Sequence, residues 1–92
     1  MMEILDKSTH VFLKTEDSFT SIAKKKFKGV YQVFTTIKLT SQMADQINDL
    51  YKANMEVVRI NFKDGFLLIR LKGKSTYNHI VKAIKTVLYG ES

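Results

Sequence analysis

The sequence predicts an α+β fold in which antiparallel β-hairpins, about five strands in all, are backed by two α-helices. Three observations carry this expectation. Two alternating runs flank an Asp-Gly pair, two capped segments repeat apolar residues at helical spacing, and a stretch rich in β-branched and aromatic residues precedes the first of them.

The clearest segment is 56–72. Val57-Val58-Arg59-Ile60-Asn61-Phe62 and Phe66-Leu67-Leu68-Ile69-Arg70-Leu71 flank Lys63-Asp64-Gly65, and Asp-Gly is a strong signal for a two-residue hairpin turn. With Asp64 and Gly65 as that turn, Phe62 faces Leu67, Ile60 faces Ile69 and Val58 faces Leu71 on one apolar side. The other side then carries Lys63 with Phe66, Asn61 with Leu68, Arg59 with Arg70, and Val57 with Lys72. A slip of one residue would mix the two sides, so the pattern itself selects the register.

Two helices follow from spacing and caps. Ser41 or Thr40 caps a segment in which Met43, Ile47, Leu50 and Tyr51 recur at helical intervals, with Asp45 near its positive end. Ser75 caps another, with Tyr77, Ile80, Val81, Ile84, Val87 and Leu88 on one face and Gly90 as its stop. Ahead of the first helix, residues 30–39 read as a strand.

Residues 16–29 allow two readings. Phe19, Ile22, Ala23 and Phe27 fit a helix ending at Gly29, and they equally fit a strand that turns at Lys28-Gly29 into Val30. Phe27-Lys28-Gly29 resembles Phe62-Lys63-Asp64-Gly65, and Ile37-Lys38-Leu39 resembles Ile69-Arg70-Leu71. That partial repeat favours the strand, and with it two strand–strand–helix units in tandem.

A chain of 92 residues is expected to form one domain, 1–92, with a modest core. An apolar fraction of 45% is that of a folded globule. There is no cysteine for a disulfide or a thiolate metal site. The first residues lack the pattern of a signal peptide and no run is long enough to span a bilayer, so the expected setting is cytoplasmic, with no membrane partner.

Charge is distributed unevenly. Residues 24–38 carry five lysines and no acid, and residues 57–92 carry seven basic residues against two acidic ones. The segments 1–23 and 39–56 are each mildly acidic, leaving a net charge of +6. A folded surface with a basic side favours polyanions such as nucleic acid.

No catalytic constellation stands out, and no cofactor or metal is expected. His10 and His79 are isolated, no histidines or carboxylates stand at metal-ligand spacing, and no glycine loop cradles phosphate. The chain therefore reads as a non-enzyme. A small ribonuclease toxin would need an acid–base pair, for which His79 with Glu16 or Asp17 is the only candidate. The basic hairpin face is the better feature. Arg59 and Arg70 repel each other there until a polyanion binds, Lys63 and Lys72 extend the face, and Phe66 and Leu68 lie among them. Lys24, Lys25, Lys26 and Lys28 form a second candidate patch for sequence-independent phosphate contacts. Tyr31 and Phe34 read as core.

The order of elements around Asn54-Met55-Glu56-Val57-Val58-Arg59-Ile60 and Lys63-Asp64-Gly65, followed by a strand and an amphipathic helix, resembles the C-terminal double-wing domain of the MotA family. Ile4-Leu5-Asp6-Lys7 and Gln46-Ile47-Asn48-Asp49-Leu50 fall in compatible places. MotA is the middle-promoter transcription activator of T4-like bacteriophages. The resemblance implies a saddle of β-hairpins with helices behind it that binds duplex DNA through its β surface. It further implies a stand-alone wing domain of phage type, without the polymerase-contacting domain of those activators. The expected function is binding of DNA or RNA through the hairpin face. The alternative is a protein-binding inhibitor or antitoxin-like factor directed at a host toxin or polymerase.

Overall fold

In a computed structural model, which describes residues 1–91, the described residues form six strands and two helices. In chain order these are β1 (Glu3–Asp6), β2 (His10–Lys14), β3 (Phe19–Ala23), β4 (Tyr31–Thr35), α1 (Ser41–Leu50), β5 (Met55–Asn61), β6 (Phe66–Leu71) and α2 (Tyr77–Tyr89). The strands make one sheet in the order β1-β2-β3-β4-β6-β5, antiparallel throughout. The α+β class is the expected one, and an N-terminal hairpin brings the strands to six.

Residues 19–23 are strand, not helix. The chain then turns back at Lys28 (φ 52°) and Gly29 (φ 83°), with Phe27 and Val30 paired across the turn. Positive φ at both central residues matches the right-handed twist of the flanking strands. Two β-β-α units follow one another: β3-β4-α1 and β5-β6-α2. The same interval separates Gly29 from Gly65 and the caps Thr40 from Thr76. Their second strands, β4 and β6, lie side by side, the order that a two-fold axis between them would generate.

The β5–β6 hairpin departs from its expected register. Four residues, 62–65, form the loop, so Asn61 faces Phe66, Ile60 faces Leu67 and Arg59 faces Leu68. A bulge between Val57 and Arg59 then resets the phase, placing Val57 opposite Ile69, Glu56 opposite Arg70 and Met55 opposite Leu71. The reason is visible in the residues. Uninterrupted alternation from Ile60 would turn Glu56 into the core, whereas the bulge turns Met55 and Val57 inward and leaves Glu56 outside. Val58 and Phe62, expected in the core, are instead exposed.

Both helices pack on one side of the sheet. Val11, Leu13, Ile22, Val33, Met55, Leu67 and Ile69 point from the strands to Leu39, Ile47, Ile80, Ala83 and Ile84. Leu50, expected on the apolar face of α1, is exposed, while Ala44 is buried beside Ile47. Thr40 caps α1, its hydroxyl accepting from Met43 N–H at 3.2 Å. Thr76, one residue past the expected Ser75, caps α2 in a reciprocal box: its hydroxyl accepts from Asn78 N–H, and His79 Nδ1 accepts from Thr76 N–H at 3.1 Å. Gly90 ends α2 in the left-handed conformation. At that end the Tyr89 hydroxyl reaches Thr20, itself bonded to Thr35 at 2.7 Å, and the Leu13 carbonyl. These contacts tie the helix terminus to three strands.

Candidate nucleic-acid interface

With the helices on one side, the alternation of each strand dictates what lines the other. One row of Cα partners crosses all six strands on this open face: Leu5, Phe12, Ser21, Phe34, Phe66 and Asn61. Its phenylalanines are in contact with other rings. Phe12 lies between His10 (5.7 Å between centroids) and Phe19 (5.4 Å), both nearly parallel to it. Phe34 and Phe66 meet at 4.7 Å with the rings tilted by 46°. Between the two groups, Ser21 and Ala23 make a low floor along β3. Beside the second group, a depression of about 350 Å³ is lined by Phe34, Arg59, Asn61, Asp64, Phe66 and Leu68.

Phe34 is 48% exposed on this face, which corrects its expected place in the core. Tyr31, on the opposite side of β4, does pack against the core.

The structure sorts the expected basic residues. Arg59 stands on the open face opposite Leu68 and makes no ion pair among the described residues. Arg70 is on the same face but opposite Glu56, whose carboxylate it meets at 2.8 Å. The bulge thus replaces the expected Arg59–Arg70 repulsion with an opposite-charge pair. Lys63 sits in the 62–65 loop at the end of the sheet, not opposite Phe66. Lys72 lies beyond β6 and donates to the Lys52 carbonyl behind α1 at 3.1 Å, which takes it off the face.

The lysine cluster divides as well. Lys24 pairs with Asp6 and lies 5.6 Å from the Tyr77 ring at the start of α2, so it belongs to the helix side. Its hydrogen bond to Asp6 raises the Lys24 pKa above the ordinary 10.5. Lys25, Lys26 and Lys28 are exposed in the β3–β4 connection, with Lys28 over the Phe27 ring at 5.4 Å.

His10, Phe12, Phe19 and Phe34 are open-face residues that charge-led reasoning passes over. The alternation of His10, Phe12 and Lys14 with buried Val11 and Leu13 is the signal that marks the first two. The acid–base pair considered for a ribonuclease is not assembled. His79 is used in the α2 cap, while Ser18, next to Glu16 and Asp17, neighbours Tyr89 at the far end of that helix, about 15 Å along its axis.

Fold and face together define an α+β sheet domain with helices on one side and an aromatic, partly basic open surface on the other. No protein-family model, curated protein or solved structure matches this chain. No helix among the described residues is long and apolar enough to cross a membrane.

Proposed function

We propose that this domain binds nucleic acid through the open face of its sheet and acts as a non-enzymatic factor. The observation that carries the reading is the row of Phe12, Phe34 and Phe66 across a face no helix covers, with Arg59 unpaired beside it. Aromatic rings offer stacking surface to bases, and an unpaired arginine offers a bidentate donor to phosphate or a guanine edge. Lys25, Lys26 and Lys28, at the end of the sheet that also carries the β1–β2 turn, add phosphate contacts without sequence preference. The tandem β-β-α units suit the shape of a MotA-like double wing. On that likeness the domain is a phage factor that regulates transcription or host takeover in the host cytoplasm.

Fluorescence anisotropy at low salt, with a panel of labelled DNA and RNA, tests the reading. Binding that weakens steeply with added salt, and that Arg59→Glu abolishes without altering the circular dichroism spectrum, is expected. The absence of affinity for every nucleic acid in the panel sinks it.

A second reading rests on a different observation. Phe19 and Phe34 expose apolar rings on the open face, and Phe27 and Phe62 expose theirs in loops at its two ends, as positions that dock a protein would. On that reading the domain inhibits a host toxin or polymerase, and a complex pulled from host lysate survives nuclease treatment.

A further inference from the structure

Resting on the nucleic-acid reading, we infer that the face takes a single strand, with bases seated on two separate aromatic platforms, and that it disfavours a duplex.

A duplex offers phosphates and base edges to a protein, because its base faces are covered by their neighbours. The central row answers those groups poorly. Its hydrogen-bonding side chains are Ser21 and Asn61, with Gln32 in the next row, and Asn61 is already committed to Asp64 through two hydrogen bonds, at 3.0 and 3.2 Å. No charged residue occupies the row from Leu5 to Asn61, so phosphates laid along it would lose water without gaining a counter-charge.

A single strand offers what this row can take. The stack of His10, Phe12 and Phe19 ends on the exposed ring of Phe19 and forms one platform, and Phe34 with Phe66 is the other. Every base has a π-face, so such stacking tolerates sequence. Phe12 and Phe34, the row members of the two groups, stand on strands two apart, about 10 Å by ordinary strand spacing, with Phe19 on the strand between. The low floor of Ser21 and Ala23 leaves room for the chain between Phe12 and Phe34. Charge complements this path at its borders. Arg59 lines the depression beside Phe34 and Phe66, and Lys14 projects on the open side of β2. Phe62, the aromatic of the β5–β6 loop, lies in a cleft with Ile37 and Lys38 instead of over this face, so it supplies no wedge for opening a duplex there.

The test is anisotropy with fluorescein-labelled oligothymidylate, an oligoribouridylate of equal length and a DNA duplex of that length, at one low salt concentration and then across a salt series. Single strands are expected to bind at least about tenfold more tightly than the duplex. Phe19→Ala and Phe34→Ala should each weaken single-strand binding by about tenfold, while the slope of affinity against salt stays unchanged. Phe34→Leu, which keeps apolar bulk without a ring, should show the same loss and guards against a folding defect. The DNA and RNA arms report whether the 2′-hydroxyl matters. Duplex binding as tight as single-strand binding, or single-strand affinity indifferent to both phenylalanines, overturns the inference. If duplex binding is lost in Arg59→Glu alone, the nucleic-acid reading stands and this inference falls. If no probe binds, both fall.

Discussion

Gly65 lies against Thr35 so closely that the residue at position 65 can only be glycine. Thr35 N–H donates to the Gly65 carbonyl at 2.8 Å, and a Cβ added at position 65 would come within 2.1 Å of the Thr35 carbonyl oxygen. The φ of +65° adds a second penalty for any L side chain. This contact holds the β5–β6 loop to the end of β4 and helps set the hairpin register.

Gly65→Ala is therefore expected to destabilise the domain by at least about 2 kcal/mol, through strain and displaced backbone. Gly29→Ala is the control. Its φ is also positive, but nothing lies within 4 Å of the added methyl, so a loss of only about 1 kcal/mol is expected. Urea denaturation of the two variants measures the difference.

The Glu56–Arg70 pair is partly exposed, with both side chains about half accessible. Such pairs contribute little, and Glu56→Gln should change stability by no more than about 1 kcal/mol. On the proposed function its effect on binding is larger and opposite in sign. Releasing Arg70 adds a free cation to the face, so nucleic-acid affinity at low salt should rise and its salt dependence steepen. Lower affinity in this variant would mean that the pair shapes the face and does not mask it.

Tyr89→Phe removes one hydroxyl that serves Thr20 and the Leu13 carbonyl at once. A loss of about 1–2 kcal/mol is expected, since Thr20 is fully buried and would keep only its bond to Thr35. Thermal and urea unfolding of the variant give the value.

Lys24 supplies a pH signature. Its pKa is raised in the folded state by the hydrogen bond to Asp6, so the pair's contribution is fully present below the unfolded-state value and is lost as pH rises through the folded one. Melting temperatures of the native protein and of Asp6→Asn, taken from neutral to strongly alkaline pH, should differ by a constant amount up to about pH 10 and converge above it. A difference that persists undiminished into strong alkali would assign Asp6 some other role.

His79→Ala tests the structural use of that side chain. Loss of its acceptor from the α2 cap is expected to cost about 1 kcal/mol. A variant of unchanged stability would free His79 for a different assignment.

Local patterns were legible in the sequence where the chemistry is local. Thr40 and Gly90 punctuate the helices, Leu67, Ile69 and Leu71 form the inner face of β6, and the repeated turn glycines mark the tandem units. What could not be read depends on contacts between distant segments. Val57 and Val58 are equally apolar, and only the need to keep Glu56 out of the core tells which of them turns inward. Phe34 alternates with Tyr31, Val33 and Thr35 in a strand whose two faces both carry aromatics, so its side is decided by pairing with Phe66 on β6. Lys24 looks like one lysine of a cluster until Asp6, from the first strand, is placed beside it. On the open face, Arg59 and Phe66 stand where the alternation of their hairpin suggested. The rings on β2 and β4 drew no attention because their alignment is visible only across paired strands.

The seam between β4 and β6 has a kinetic consequence. The neighbouring pairs β1–β2, β2–β3, β3–β4 and β5–β6 all join strands consecutive in the chain, so their closure involves short loops. The β4–β6 pairing alone joins strands separated by an entire helix and another strand. Folding is expected to proceed from early hairpins to a transition state limited by docking of the two halves along this seam. Val33 and Leu67, paired at its centre and fully buried, should then influence the folding rate, whereas changes in the outlying β1 should appear mainly in the unfolding rate.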